Sequence, residues 1–135
     1  MSGETDLGQL LRSMQPTLQQ GEYVFCSVDH QSPYPNSLKP IGSFREEEGL
    51  TLILDREQAD GAALPYESTF CMITLSVHSS LEAVGFLAAV ARKLADYQIS
   101  VNPVAAYYHD HLFVPAARAQ EAMALLRELS GAIAS

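Results

Sequence analysis

Between Phe70 and Leu94 the hydrophobic residues change period, and that change limits what this chain can fold into. Residues 70–77 alternate, with Cys71, Ile73, Leu75 and Val77 on one side and Met72, Thr74 and Ser76 on the other. That is the period of a strand. From Ser79 the period becomes helical. Ser79 and Glu82 form a capping box, and Val84, Leu87, Val90, Ala91 and Leu94 share one stripe. Ala88, Ala91 and Ala95 are small enough to let this helix lie close to a sheet. Two strand-like runs follow at 99–108 and 112–114, with a turn expected at His109-Asp110-His111 and with Pro103 at an edge or bulge. Pro115 opens a last helix at its first position, with Ala119, Ala122, Met123, Leu126 and Leu129 inward and Gly131 after its end. Strand, helix, strand, strand, helix is a ferredoxin-like order that lacks its final strand.

The first half repeats part of this order. Asp6 and Gln9 open a short helix with Leu7, Leu10, Leu11 and Met14 on one stripe, and Pro16 and the Gln-Gln-Gly at 19–21 end it. A strand is predicted at 22–28, and a hairpin at 41–55 reads GSFR, EEEG, LTLIL, with Glu46 to Glu48 a solvated turn. A short helix at 56–64 closes near Gly61. The Pro-rich loop 29–40 stands where the long helix would be, and is either functional or an inert excursion. Hairpin and helix recur at a shift of about sixty, matching Leu52 with Leu112, Leu54 with Val114 and Ala59 with Ala119. Two halves are expected, 1–65 and 66–135, completing one another's sheet, because each alone would leave a strand edge uncovered.

Composition narrows the function. A length of 135 residues, 47% of them hydrophobic, suffices for a core without disulfide or metal. A formal charge of −8 argues against nucleic acid and anionic membrane as partners. Cys26 and Cys71 sit in strand-like runs and read as free thiols in a reducing compartment. No apolar run is long enough to span a membrane, and the opening MSGETDLGQL lacks the pattern of a secretory leader. The expectation is a soluble, cytoplasmic protein.

The segment ITLSVHSSLEAVGFLAAVARKLADYQISVNPVAAYYHDHLFV resembles an ACT domain. The marks are an apolar strand, a polar turn at 78–80, Val84-Gly85-Phe86-Leu87 opening the helix and Leu94-Ala95 near its end. Ile99-Ser100-Val101 starts the next strand, and Asp110 precedes the third. With the hairpin-first half FREEEGLTLIL, the chain is most similar to the ACT-like branch of small bacterial proteins related to the arginine sensor of animal cells. The resemblance covers about residues 20–130 and implies an α+β fold, a β-α-β-β-α architecture in two ACT-like halves that share antiparallel sheet. It also implies a non-enzymatic regulatory protein that binds a small ligand, an amino acid above all. Such a protein forms a homodimer and acts on a separate protein partner. The rival from another class is a constitutive oligomerisation module without a ligand.

A helix amino terminus carries unpaired N–H groups and can hold a carboxylate. His78, Ser79, Ser80, Leu81, Val84 and Gly85 surround the expected start of the helix, Asp110 could meet an ammonium group, and Asn102 could present an amide beside it. Plainer roles are open for the same residues. Ser79 can be only a cap, Asp110 an ordinary turn residue, and Asn102 a partner of edge backbone. Gly85, one turn into the expected helix, costs about 1 kcal/mol relative to Ala and provides either close packing or room for a ligand. His109 and His111 alone do not make a metal site. No Gly-rich phosphate loop or nucleophile constellation is present, so no cofactor and no catalysis are expected.

Overall fold

The computed structural model describes residues 6–31, 34, 37–76 and 85–134. They form two compact units, one of residues 1–20 with 71–135 and one of residues 21–70.

The first unit contains α1 (Leu7–Ser13), β1 (Pro16–Leu18), β5 (Phe70–Leu75), α3 (Phe86–Ala95), β6 (Asn102–Ala105), β7 (Asp110–Pro115), a 3-10 turn (Ala116–Arg118) and α4 (Ala119–Ala134). Its strands lie in the order β1-β5-β7-β6. Asp6 Oδ1 accepts from Gln9 N at 2.9 Å, so the first cap is as its sequence predicts. Leu10, Leu11 and Met14 are buried beside Ile73, Leu75, Val90 and Leu94, while Leu7 stays 38% exposed. The three helices pack on one another: Lys93 Nζ meets Glu128 Oε1 at 2.7 Å, and Ser130 Oγ donates to Met14 O at 3.3 Å.

β1 was not foreseen. It pairs antiparallel with β5, Thr17 opposite Thr74, and so occupies the place of the final strand that the β-α-β-β-α order lacks. A strand from the front of the chain completes the sheet of the back half.

The second unit contains β2 (Tyr23–Val28), β3 (Gly42–Arg45), β4 (Leu50–Asp55) and α2 (Arg56–Gly61), with strand order β3-β4-β2. Val24, Cys26, Leu52, Leu54 and Ala59 form its core. Tyr34 and Leu38 pack against that core, and Lys39 N donates to Gln58 Oε1 at 2.7 Å. The described part of loop 29–40 therefore covers the apolar side where a long helix would lie. Gly49 is required at its turn, because a Cβ there would stand 2.5 Å from Val28 O.

The sixty-residue repeat holds in the hydrogen-bond register. Gly42 faces Ile53, Ser43 faces Leu52, Phe44 faces Thr51 and Arg45 faces Leu50. Adding sixty to each number gives the β6–β7 ladder, from Asn102 facing Phe113 to Ala105 facing Asp110. The closing bonds match as well: Glu46 N to Gly49 O at 2.8 Å and Ala106 N to His109 O at 3.0 Å.

Several local expectations are corrected. α3 starts at Phe86, after Gly85 with φ +87°, so Gly85 is the N-cap and not a mid-helix residue. Its buried stripe is Phe86, Val90 and Leu94, whereas Ala88 and Ala95 are exposed. The hairpin tip is Tyr107-Tyr108, which places Asp110 and His111 inside β7. The run at 99–108 is strand only over Asn102–Ala105, and Gly131 lies within α4 rather than beyond it, with Pro115 ending β7. Val77 and the predicted Ser79–Glu82 cap lie outside the described residues.

Candidate functional site

The α3 amino terminus begins at a glycine cap. Left-handed φ at Gly85 is a conformation that a Cβ disfavours, and among the described residues no side chain caps the helix. The Gly85 carbonyl accepts from Ala89 N at 2.9 Å and starts the helix, so the N–H groups of Phe86, Leu87 and Ala88 have no intrahelical acceptor. Those groups and the helix dipole favour an anion. His78, Ser79, Ser80, Leu81 and Val84 lie outside the described residues.

Asp110 opens β7 and is 7% exposed. Alternation puts it on the same side of the strand as Leu112 and Val114, both members of the helix-covered core. Burial raises its carboxyl above the usual range near 3.8, against the pull of His111 and then His109. Asn102 is not beside Asp110. Asn102 faces Phe113, three residues along β7 and so about 10 Å from Asp110, and its Nδ2 lies 3.5 Å from Phe113 O.

A polar chain on the opposite side of the sheet escaped sequence reading. Gln19 Nε2 donates to Thr74 Oγ1 at 3.0 Å, and Thr74 Oγ1 lies 3.0 Å from His111 Nδ1. The Thr74 hydroxyl accepts from Gln19, and its bond to His111 Nδ1 runs in the direction set by the tautomer of the ring. Burial, then His109, holds His111 below its ordinary value of 6.5, against Asp110. The signal was present in Thr74, a hydroxyl inside an apolar strand, but its partner strand β1 was unread. The His109 and His111 ring centroids are 6.4 Å apart, and no group of three or more potential metal ligands occurs among the described residues. Cys26 and Cys71 are not joined in a disulfide, and burial pushes the Cys26 thiol up. No described helix is long and apolar enough to cross a membrane.

One profile of the ACT domain matches residues 2–71, and a second ACT domain profile matches residues 67–128. These follow chain order, whereas the compact units cross it through β1. A solved structure of a Vibrio cholerae protein, described as of unknown function and a possible transport protein, is 50% identical. It superposes at TM-score 0.82, over 92% of this chain and 95% of that one. Aspartate kinase of Clostridium acetobutylicum, described as an allosteric enzyme, matches at TM-score 0.65 and 6% identity, over 86% of this chain and 34% of its own. A Porphyromonas gingivalis domain assigned as a C-terminal regulatory domain of aspartate kinase matches at 0.56 and 12% identity, over 85% and 95%. The last two likenesses are of fold. Among curated proteins none matches the chain.

Proposed function

The chain belongs to the ACT domain family, and from that premise we propose that it is a non-enzymatic regulatory protein that binds a free amino acid. The ammonium group of the ligand pairs with Asp110, and its carboxylate meets the first turn of α3. His78, Ser79, Ser80, Leu81, Val84 and Gly85 are the further residues assigned to ligand binding, while Asn102 serves the sheet edge instead. The two ACT-like repeats are residues 1–65 and 66–135, and the protein forms a homodimer that acts on a separate protein in the cytoplasm.

One observation carries this reading. Asp110 is 7% exposed, and burial raises its carboxyl above its usual range. Burial disfavours the ionised form, and a ligand that brings a cation offsets that cost.

A thermal-shift panel of the twenty amino acids at ~5 mM tests it. A ligand at a hundredfold excess over its Kd adds about 2.7 kcal/mol, which is roughly 5 °C for a domain of this size. At least one amino acid is expected to stabilise the protein to that extent. If none moves the melting curve by more than ~1 °C, the ligand reading fails and constitutive oligomerisation takes its place.

A further inference from the structure

Asp110 and His111 are neighbours on β7, so the pleat sends their side chains to opposite sides of the sheet. Asp110 is on the side of the helix-covered core, and His111 is on the side of the Gln19–Thr74–His111 chain. Among the described residues the charges that act on His111 are His109 and Asp110, the carboxylate favouring the charged ring and His109 opposing it. The groups that face the ring from neighbouring strands are uncharged. β5 presents the Thr74 hydroxyl, β6 sets Val104 opposite, and Gln19, the residue after β1, reaches the ring through Thr74.

Thr74 is buried, and its hydroxyl has one proton and two lone pairs. A charged His111 carries a proton on Nδ1, so it donates to Thr74 Oγ1, which then accepts from His111 and Gln19 at once. When His111 is neutral with Nδ1 bare, Thr74 donates to the ring and accepts from Gln19. A hydroxyl that donates is the better acceptor, so the two arrangements differ in the strength of the Gln19 bond. Gln19 is held twice on β5, because its backbone N also donates to Met72 O at 2.9 Å. One residue later the front segment of the first unit ends, and Tyr23 already belongs to β2 of the second.

We infer that the Gln19–Thr74–His111 chain is a relay that reports the charge at Asp110, across the sheet, to the end of β1. The inference rests on the reading of Asp110 as the ammonium partner and adds how occupancy leaves the site. A bound ammonium cancels the pull of the carboxylate, the neutral ring is favoured, and the Gln19 bond strengthens. The coupling is reciprocal, so a tighter Gln19 bond in turn favours the occupied site.

Nuclear magnetic resonance of the full chain tests it, with Asp110→Asn standing in for the neutralised carboxylate. In that variant His111 is expected to titrate at lower pH than in the wild type. At about pH 6, where an imidazole changes charge, the Gln19 side-chain amide resonances are expected to shift with it. Thr74→Val removes the hydroxyl; in that background His111 should still respond to Asp110→Asn, while Gln19 should not. Thr74→Ser keeps the hydroxyl and should keep the Gln19 response. A Gln19 amide that does not move with Asp110→Asn, or that moves equally in the Thr74→Val background, overturns the relay. So does a His111 titration that Asp110→Asn leaves unchanged. Because the charge is removed by substitution, this outcome is separate from that of the amino-acid panel. A silent panel overturns the ammonium ligand, whereas a silent Gln19 overturns the relay alone.

Discussion

Asp110 is a residue kept at a cost. Its folded carboxyl lies above its usual value, so it favours folding below about pH 3.8 and opposes folding as pH rises through the folded value. Asp110→Asn should therefore raise the unliganded melting temperature at neutral pH, by about 1 kcal/mol of stability. The amino-acid shift should shrink against that new reference, because a charge-assisted bond becomes a neutral one. A variant that melts lower and keeps its full ligand shift would make Asp110 a structural residue. His111 titrates with the opposite sign. Its folded value lies below 6.5, so its contribution is complete above that pH and is lost as pH falls through the folded value. In the Asp110→Asn background, where the opposing carboxylate is gone, urea midpoints should fall as pH drops below about 6.5. Adding His111→Gln should flatten that slope.

Elements were legible where their signals were local and illegible where pairing decided them. The Asp6 cap and the GSFR–EEEG–LTLIL hairpin could be read because capping and turn residues lie within four positions of what they control. β1 could not: three residues that include a proline show no period, and only β5 makes them a strand. At the β6–β7 tip, Tyr107 and Tyr108 favour strand while His109 and Asp110 look like turn, yet cross-strand register and the burial of Asp110 set the tip two residues earlier. Gly85 was hidden by the apolar spacing of Val84 and Leu87, which continues a helical stripe across the break. Of the candidate site, the helix that follows β5 could be read, while its start at Phe86, the place of Asp110 inside β7 and the Gln19–Thr74–His111 chain needed the fold. Two glycines test this account through their backbone. Gly85→Ala should lose about 1–2 kcal/mol, because left-handed φ penalises a Cβ. Gly131→Ala should gain about 1 kcal/mol, because Gly131 sits inside α4 with nothing within 4 Å of the new methyl. Chemical denaturation reads both, and equal signs would show that one of the two backbone assignments is wrong.

At the scale of the molecule, the repeat explains the hairpins and the exchange of β1 explains why the chain is not two beads in series. Leu52, Leu54 and Ala59 are buried in one unit as Leu112, Val114 and Ala119 are in the other, so equivalent positions do equivalent work in separate cores. The first core nevertheless depends on the front of the chain. Leu10, Leu11 and Met14 are at most 5% exposed within it, and β1 covers the edge of β5. Each of those side chains contributes about 1.5–3 kcal/mol by burial. Three of them, with the bared strand edge, approach the whole stability of an ordinary domain. Deleting residues 1–20 should therefore abolish cooperative unfolding of the remaining chain and leave it prone to aggregation through β5. Supplying the deleted segment as a synthetic peptide should restore protection of the β5 amides in hydrogen exchange. A truncated chain that melts cooperatively, within a few degrees of the intact protein, would show that the first core closes without β1 and that the exchange is dispensable.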